Sequence, residues 1–383
     1  MTTTRFSRIR HVLVATVLSI SLSFALHASA AGSIPTAFFI DLNSKTVARI
    51  STTENLNYDL YYDPYGINDK GQVAGSLYDP YGGQSFAFIT GPNGVGLNYV
   101  RFSQTGNAGA GGINDAGEVV GTFGRLFSYQ QTAFMSDATG NVDFLFGELR
   151  GGSSGANDIN NANQVVGWSD TDNGSQHAFI INGGLTDLGT LGGTFSFANG
   201  INDAGRVVGD SGTHDGNRHA FITGPNGVGM SDLGTLGGND SSAIDINDTA
   251  EVVGQSDTID GHTHAFVTGA DGIGMTDLGT LGGNDSFAGG LNDAGQVVGW
   301  SNISDGSIHA FVTGPHGVGM TDLNSLFDLP PGSRIAEAHG INNHGQIIAT
   351  GYSVLIPEPS SYAMLLAGLG LVGLIARRRK PIS

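Results

Sequence analysis

The chain contains no cysteine among its 383 residues. No disulfide bond can therefore stabilise it, and no thiolate is present to act as a nucleophile or a metal ligand. A chain of a few hundred residues buries enough apolar surface to fold without such cross-links. A large non-covalent core is thus the expected source of stability.

Basic residues are scarce, with 16 Lys and Arg against 34 Asp and Glu. Seven of the basic residues lie near the two ends, so residues 31–357 carry 33 acidic and nine basic side chains, a formal balance of −24. Nucleic acids and anionic lipid surfaces are bound through cationic patches. The composition therefore argues against nucleic acid as a partner of this central part.

Motifs that mark common active sites are missing as well. The sequence has no Gly-x-Ser-x-Gly elbow, no His-Glu-x-x-His pair and no phosphate-binding loop. The glycine-rich stretch 224–229 recurs between apolar runs, with no helical pattern after it. Glu148, Arg150 and Glu337 are irregular charged residues, too scattered to be assigned catalytic roles. The sequence therefore predicts no catalytic residue.

The N-terminus has the three parts of a secretory signal peptide. Arg5, Arg8 and Arg10 precede an apolar run over residues 11–26, and a small-residue exit follows at residues 28–30. The run is shorter than the usual transmembrane span of about 20 residues, which disfavours a permanent anchor. We therefore predict that residues 1–30 form a signal helix that a signal peptidase removes.

The C-terminus also has three parts. Residues 356–361 are rich in proline and serine, and Tyr362–Ala376 is apolar or glycine throughout. A basic cluster closes the chain with Arg377, Arg378, Arg379 and Lys380. The apolar stretch is just long enough to enter a bilayer, and the cations would hold its end in the cytoplasm. We predict that residues 356–383 contain a transmembrane helix.

This tail resembles the PEP-CTERM sorting signal of Gram-negative bacteria that produce exopolysaccharide. Its signature here is Pro357-Glu358-Pro359, with Ile356 where the family more often has valine. The resemblance implies that an exosortase recognises the tail and cleaves near the tripeptide. It further implies export, anchoring in the inner membrane before processing, and then a place at the cell surface or in the extracellular matrix.

Two phrases recur through the middle of the chain. An Ala-Phe pair opens an apolar run at residues 37, 87, 133, 178, 220, 265 and 310. An Ile/Leu-Asn-Asp/Asn phrase begins at residues 67, 113, 159, 201, 246, 291 and 341, so successive starts are 42 to 50 residues apart. A fixed period of this size is the sequence signature of a repeat architecture.

Each repeat can be divided into four short strands. In one repeat these are residues 264–268, 275–281, 286–291 and 296–300, with turn residues between them, including Asn292-Asp293-Ala294-Gly295. Four strands per 45 residues are typical of a propeller blade. We predict an all-β, seven-bladed propeller over residues 31–355, with a solenoid or an open chain of β-units as the alternative. The run 352–356 is expected to close the ring against the N-terminal strand.

The repeats resemble the bacterial HAF-repeat proteins. The His-Ala-Phe triplet that names this family stands at residues 177–179, 219–221, 264–266 and 309–311. The resemblance implies an extracellular repeat protein and brings no defined chemistry. The four histidines invite a metal-site interpretation, but equivalent positions on different blades are far apart, so hydrogen bonds to neighbouring turns are the favoured role.

Tyrosines in the first repeat are the main candidates for a binding surface. The candidates are Tyr61, Tyr62, Tyr65, Tyr78 and Tyr81, and Tyr58 lies beside them. A tyrosine in a turn presents a flat apolar face and a polar tip, which suits a sugar ring or a protein contact. Packing within a variant blade is the alternative.

Acidic turns supply the candidates for a calcium site. Asp170 and Asp172 share one glycine-containing turn, and Asp257 and Asp260 share another. Neither matches a helix-flanked calcium loop, since no glutamate closes a twelve-residue segment. Plain Asx turns are therefore favoured, and no other cofactor is expected.

Together these features predict a non-enzymatic, exported repeat protein that acts by binding or scaffolding, with exopolysaccharide or surface proteins as partners. One alternative is a propeller enzyme acting on glycans, with its site in the central channel or at the first blade. Substitution of Glu148 or Asp63 would test this alternative. Another alternative is a calcium-dependent adhesin.

Overall fold

The computed structural model describes residues 33–50, 60–126, 130–145 and 149–354. The predicted signal peptide, the sorting tail, Tyr58 and Glu148 lie outside these ranges. Residues 35–329 and 334–352 form one compact unit, a β-propeller. A second unit comprises residues 1–34, 330–333 and 353–383, of which only a few residues are described. Among the described residues, no helix is both long enough and apolar enough to cross a membrane.

The described strands form seven antiparallel sheets of four strands each, which confirms the predicted number of blades. The chain begins with the hairpin of β1 (Ser33–Asp41) and β2 (Thr46–Arg49). Blade 1 consists of β3 (Tyr61–Ile67), β4 (Val73–Asp79), β5 (Gln84–Thr90) and β6 (Leu97–Tyr99). Blade 2 consists of β7 (Gly106–Ile113), β8 (Val119–Arg125), β9 (Gln131–Ser136) and β10 (Val142–Leu145). Blade 3 consists of β11 (Arg150–Ile159), β12 (Val165–Thr171), β13 (Gln176–Ile181) and β14 (Leu185–Gly189).

The remaining blades follow the same order, from the innermost strand outward. Blade 4 consists of β15 (Gly192–Ile201), β16 (Val207–Thr213), β17 (Arg218–Thr223) and β18 (Met230–Gly234). Blade 5 consists of β19 (Gly237–Ile246), β20 (Val252–Thr258), β21 (Thr263–Thr268) and β22 (Met275–Asp277). Blade 6 consists of β23 (Gly282–Leu291), β24 (Val297–Ile303), β25 (Ile308–Thr313) and β26 (Met320–Asp322). Blade 7 begins with β27 (Arg334–Ile341) and β28 (Gln346–Val354).

Blade 7 is completed by the start of the chain, since its strand order is β2-β1-β28-β27. The ring is therefore closed by non-covalent pairing between the two ends of the propeller. Residues 352–354 belong to the end of β28, which pairs with β1 as expected, whereas residues 355 and 356 lie outside the described ranges. Each sequence repeat begins at an Ala-Phe strand, the third strand of a blade, so the repeat spans two neighbouring blades.

Five single-turn 3₁₀ helices are the only helical segments in the described ranges. They are η1 (Pro92–Gly94), η2 (Pro225–Gly227), η3 (Ala270–Gly272), η4 (Pro315–Gly317) and η5 (Leu323–Ser325). The first four are equivalent loops between the third and fourth strands of a blade. Their central residue has a positive φ, for example 58° at Asn93 and 56° at Asn226. Asparagine tolerates this left-handed conformation better than most residues do.

The phenylalanine of each Ala-Phe pair lies in the core between blades. Six of these side chains are less than 2% exposed, namely Phe88, Phe134, Phe179, Phe221, Phe266 and Phe311. Each buried ring stabilises the fold by about 1.5–3 kcal/mol. Core clusters join adjacent blades, as where Val208 and Ile222 of blade 4 pack with Phe266 of blade 5. The apolar runs thus lack in-out alternation because both faces of each sheet are covered.

The glycine of the Val-Val-Gly phrase is required by close packing of backbones. In blade 6, Gly299 pairs with Phe311 on β25 and lies against β23. A Cβ at this position would collide with the carbonyl oxygen of Phe287 and the ring of Phe311. Gly209 and Gly254 meet the equivalent obstacles in blades 4 and 5. The repeated glycine therefore lets the inner strands approach the phenylalanine-bearing strand.

The asparagine of the Ile/Leu-Asn-Asp/Asn phrase connects each blade to the next. Its Oδ1 accepts the backbone N–H four residues on, which closes the turn, as Asn247 does for Glu251. Its Nδ2 donates to the carbonyl oxygen of the equivalent asparagine in the following blade, over 2.8–3.4 Å. The seventh of these bonds runs from Asn342 to Asn68, so the set forms a closed ring, here called the asparagine ring.

A second ring lies one residue further along each turn. The backbone N–H of each residue donates to the side-chain Oδ1 of its equivalent in the next blade, over 2.9–3.1 Å. The members of this acidic ring are Asp69, Asp115, Asn161, Asp203, Asp248, Asp293 and Asn343. Asn343 donates from Nδ2 to Asp69 at 3.0 Å and to Asp293 at 2.7 Å, and Asn161 donates in the same way to Asp115 and Asp203. The two asparagines thus separate carboxylates that would otherwise be adjacent.

The variant Asn343→Asp tests this arrangement. It replaces the shared donor with a carboxylate between Asp69 and Asp293, so the charged ring repels itself at neutral pH. We expect a lower melting temperature at about pH 7.5 and a smaller loss at about pH 4, where the acids are partly protonated. Thermal unfolding followed by circular dichroism measures both.

Asn98→Asp is the matched control, because Asn98 is exposed on β6 and away from the ring. An equal loss of melting temperature in both variants, or a loss in Asn343→Asp that does not change with pH, would contradict the role assigned to Asn343.

Candidate functional site

The axis of the propeller contains a continuous set of cavities. Each inner strand runs from one end of the channel, here called the mouth, to the asparagine ring and the acidic ring at the other end. A cavity of about 690 Å³, the channel chamber, lies on the axis and is lined by residues that include Tyr65, Trp300 and His339. A smaller cavity of about 210 Å³ lies at the rings. Asp158 and Asp245 line both cavities, so they stand where the two cavities meet.

An outer cleft of about 1110 Å³ opens between blades 1 and 2 at the mouth. Its lining includes Tyr61, Asp63, Tyr65 and Tyr78. Tyr65 lines the channel chamber as well, as do Ser76, Gly109 and Thr122. The outer cleft and the channel chamber are therefore connected, and a ligand that enters the cleft can reach the axis.

The structure brings three of the five predicted tyrosines together. Tyr61, Tyr65 and Tyr78 line the outer cleft, and the rings of Tyr61 and Tyr78 lie 6.4 Å apart. Tyr62 instead packs edge-on against Phe88 at 6.2 Å, in the core of blade 1. Tyr81 is 72% exposed in the turn between β4 and β5 and does not line the cleft. Tyr61 and Tyr65 face the cleft while Tyr62 faces the core because successive side chains along β3 point to opposite faces.

Two carboxyl groups near the outer cleft are partly desolvated. Burial raises the pKa of Asp63, and burial together with the charge of Asp63 raises the pKa of Glu337. Burial and the same charge raise the pKa of the Tyr65 phenol. Asp63 lies on the inner strand of blade 1 and Glu337 on that of blade 7. The mouth is thus polar and acidic as well as aromatic.

The channel chamber has an aromatic side that the sequence analysis missed. Trp300 stacks on Phe287, with ring centroids 5.5 Å apart and an interplanar angle of 18°. The imidazole of His339 lies 6.2 Å from the Trp300 ring and makes a hydrogen bond of 2.9 Å from Nε2 to Thr350 Oγ1. Burial lowers the pKa of His339 to about 4, so this side chain is neutral at physiological pH.

Asp158 and Asp245 replace glycine at equivalent positions of the inner strands. In each case Oδ1 accepts the backbone N–H of the following residue. The Oδ2 of Asp158 accepts the N–H of Ile201 in the next blade, and that of Asp245 accepts the N–H of Leu291. Burial and the charge of Asp245 raise the pKa of Asp158 to about 7, and burial raises that of Asp245 to about 6. Both groups therefore titrate in the physiological range.

The four histidines of the His-Ala-Phe triplets each pair with an aspartate on the last strand of the same blade, and not with a neighbouring turn. The Nδ1 atoms of His177, His219, His264 and His309 lie 2.7–3.1 Å from a carboxylate oxygen of Asp187, Asp232, Asp277 and Asp322. The Oδ1 atom of each of these aspartates also accepts the backbone N–H two residues further on, as Asp277 does from Gly279 at 2.7 Å. The pairs fasten the last strand of the blade and the loop that follows it.

The calcium candidates lie in two turns between second and third strands. Asp170 accepts a hydrogen bond from Gln176 Nε2, and Asp257 accepts one from Thr263 Oγ1, both at 3.1 Å. Within the described part of the chain, no three His, Cys, Asp or Glu side chains are grouped so that they could hold a metal ion. Calcium binding at Asp170, Asp172, Asp257 and Asp260 stays a prediction. Glu148, named for the enzymatic alternative, lies outside the described residues.

The variant Asp158→Asn tests the titration of the channel carboxyl. Because its pKa is about 7 in the folded chain against an ordinary 3.8, the folded state keeps a proton that the unfolded state has released. The free energy of unfolding of the native protein therefore falls as pH rises from about 4 to about 7. The amide of the variant does not titrate, so this decrease is absent from it. We expect the stability of the variant relative to the native protein to be higher at about pH 8 than at about pH 4.5.

Urea unfolding at both pH values measures the difference. Replacing the carboxyl group by an amide also changes a hydrogen-bond acceptor, which shifts the free energy of unfolding by the same amount at both pH values. Asp215→Asn, in the exposed turn between β16 and β17, is the control and should show no such trend. The same relative stability of Asp158→Asn at both pH values would contradict the raised pKa.

The variant His264→Ala tests the histidine–aspartate pairs. It removes the hydrogen bond to Asp277 and should lower the free energy of unfolding by about 1 kcal/mol. His262→Ala is a matched control, because His262 is two residues away, 43% exposed in its side chain and 3.8 Å from Asp285. Equal effects of the two substitutions in urea unfolding would refute a specific role for His264.

Comparison with known proteins bears on the tail and on the fold. The model of the PEP-CTERM protein-sorting motif matches residues 355–380, which confirms the motif predicted from Pro357, Glu358 and Pro359. The match implies an exported protein that an exosortase processes at the membrane. It covers only the end of the chain and says nothing about the propeller. No curated protein sequence matches the chain.

Solved structures show the fold alone. The β-propeller domain of the Trilobed protease from Pyrococcus furiosus is 13% identical with a TM-score of 0.50, over 78% of this chain and 93% of that one. A puromycin-hydrolyzing peptidase from Mycobacterium tuberculosis is 13% identical with a TM-score of 0.52, over 76% of this chain and 49% of that one. Putative TolB from Agrobacterium tumefaciens is 10% identical with a TM-score of 0.47, over 84% of this chain and 99% of that one. This chain is therefore an exported β-propeller with a PEP-CTERM tail.

Proposed function

We propose that this exported propeller is a non-enzymatic binding protein that holds a neutral carbohydrate chain at the mouth of its channel. Its place would be the cell surface or the exopolysaccharide matrix. The observation that carries the proposal is the outer cleft, where Tyr61, Tyr65 and Tyr78 surround a cavity of about 1110 Å³ that opens into the channel chamber. The resemblance to HAF-repeat extracellular proteins agrees with this location.

The chemistry of the cleft suits a sugar better than other ligands. Tyrosine rings offer flat apolar faces for sugar rings, and their hydroxyl groups exchange hydrogen bonds with sugar hydroxyls. Asn107, Gln131 and Asp63 add donors and acceptors around them. The cleft lining has one basic residue, Arg125, and one acidic residue, Asp63, within a domain of formal balance −24. An acidic polysaccharide would therefore be repelled, and a neutral one accepted.

Binding can be measured by calorimetry with the full-length chain in detergent. The probes are the neutral hexasaccharides of cellulose, chitin, mannan and amylose, with hexagalacturonate as the anionic counterpart. We expect at least one neutral probe to bind and the anionic probe to fail. Tyr61→Ala and Tyr78→Ala should each weaken binding by about tenfold, since each removes an aromatic face.

Tyr81→Ala is the matched control, because Tyr81 belongs to the same blade but does not line the cleft. It should leave the affinity unchanged. Failure of all four neutral probes to bind, or equal losses of affinity in Tyr81→Ala and Tyr78→Ala, would refute the proposal.

One observation favours the enzymatic alternative, a glycan hydrolase. Burial raises the pKa of Asp63, and burial together with the charge of Asp63 raises that of Glu337, so these are two interacting carboxyl groups of the kind that glycosidases use as acid and base. Shortening of a bound probe, abolished by Asp63→Asn or Glu337→Gln, would establish this activity in place of passive binding. A melting temperature that rises with calcium would instead support the adhesin.

A further inference from the structure

The seven repeats differ most where they face the axis. The residue that follows the Val-Val-Gly phrase, or its variant, is different in most blades: Ser76, Thr122, Trp168, Asp210, Gln255, Trp300 and Thr350. The third residue before each asparagine of the asparagine ring also varies: Tyr65, Gly111, Asn157, Asn199, Ile244, Gly289 and His339. The residues around both positions are nearly constant. Packing between blades therefore holds the framework constant but leaves these two positions free to differ.

Most of the variable residues line the channel chamber. All seven at the inner-strand position do so, and Ser76, Thr122, Gln255 and Trp300 do so at the other position. Thr350 contacts the chamber indirectly through its hydrogen bond to His339. Asp210 is buried and paired with Arg218 Nε at 2.6 Å, and Trp168 is absent from the lining. The differences between repeats thus give the chamber walls of unlike chemistry.

One wall of the chamber is aromatic and the opposite wall is polar. Trp300, His339 and Tyr65 come from blades 6, 7 and 1, which are adjacent. Asn157, Asn199 and Gln255 come from blades 3, 4 and 5. A sugar ring has the same division, with apolar C–H faces that stack on aromatic rings and hydroxyl groups at its edge.

The polar wall is held ready to accept hydrogen bonds. Asn157 Nδ2 donates to the carbonyl oxygen of Ala198 at 2.7 Å, and Asn199 Nδ2 donates to that of Ala243 at 2.8 Å. These bonds fix both side chains and leave their Oδ1 atoms as acceptors. Gln255 makes no side-chain hydrogen bond among the residues that the structure describes, so both ends of its amide remain to meet a ligand.

The charge of the chamber excludes an anionic ligand. No lysine or arginine lines it, His339 is neutral at physiological pH, and the carboxyl groups of Asp158 and Asp245 face it. A uronic acid would meet these carboxyl groups with no cation to compensate. A neutral sugar meets hydrogen-bonding groups and an aromatic face.

The shape of the cavities favours a chain end over an internal stretch. The channel chamber continues from the outer cleft and reaches the two rings, where hydrogen bonds join all seven inner-strand turns around the axis. The ring end cannot widen without breaking hydrogen bonds that join neighbouring blades. A sugar chain that lies along the cleft therefore enters the chamber by its end.

We propose that the channel chamber is an inner subsite that takes the terminal unit of a neutral sugar chain, stacked on Trp300 and hydrogen-bonded to Asn157, Asn199 and Gln255. This inference rests on the proposed function, in which the outer cleft holds the units that follow. It adds that specificity is decided on the axis, by residues that differ between otherwise equivalent blades.

The two tryptophans of the chain make a direct test available. Trp168 and Trp300 occupy equivalent positions in β12 and β24, but only Trp300 lines the chamber. In the full-length variant Trp168→Phe, Trp300 is the sole tryptophan, and its fluorescence reports on the chamber. We expect the neutral hexasaccharide that binds most tightly to change this fluorescence in a saturable way, at the concentration at which calorimetry detects binding.

Matched substitutions then measure the contribution of the subsite. Trp300→Ala should weaken binding of the same hexasaccharide by about tenfold or more, and Trp168→Ala should leave the affinity within about twofold. A long polymer of the same sugar should bind one or two copies of the protein per chain, whatever its length, because only ends enter the chamber. Circular dichroism of each variant confirms that its fold is intact.

The possible results separate the two proposals. Absence of binding by all four neutral probes overturns the proposed function and this inference together. Binding that is lost in Tyr78→Ala but is unchanged in Trp300→Ala, with no change in Trp300 fluorescence, overturns the inner subsite and leaves the proposed function standing. Many copies bound along one polymer chain would overturn recognition of the chain end.

Discussion

Seven buried asparagines, one at the end of each inner strand, join every blade to the next through their side-chain amides. The same side chain closes its own turn through Oδ1, so each asparagine satisfies a local turn and a contact between blades at once. Because the last amide, that of Asn342, reaches the carbonyl oxygen of Asn68, the ring has no free end. An amide presents a donor and an acceptor on two separate atoms, whereas an ionised aspartate has no donor and serine has both on a single oxygen.

The asparagine ring explains why the repeats are so similar and where they are free to differ. Each blade must present the same turn, the same glycine and the same phenylalanine to its neighbours, or the spacing around the ring changes. The two variable positions that face the axis are not needed for this spacing. Asymmetry therefore collects on the channel wall, where Trp300, His339 and Tyr65 face Asn157, Asn199 and Gln255. A symmetric scaffold thus acquires an asymmetric site without altering its packing.

Acidic side chains near the axis carry an energetic cost that the fold offsets locally. Asn161 and Asn343 place donors between neighbouring aspartates of the acidic ring, and Asp158 and Asp245 each accept two backbone N–H groups. Burial still raises the pKa of Asp158 to about 7, so the compensation is incomplete. Glycine occupies the equivalent position in the other five blades, so the two carboxyl groups are additions to the repeat and not part of its framework.

The sequence by itself determined the β-strand content, the number of blades, the Ala-Phe core and the sorting motif, because each depends on local pattern repeated at a fixed period. It also indicated three tyrosines of the outer cleft, although it could not separate them from Tyr62, whose direction depends on its place in β3, or from Tyr81, which lies in the turn after β4. Only the tertiary structure decided that the Asn-Asp turns form closed rings, that each repeat spans two blades, and that Trp300, His339, Asp158 and Asp245 share one chamber. Those residues are far apart in the chain, and closure of the ring alone brings them to a common axis.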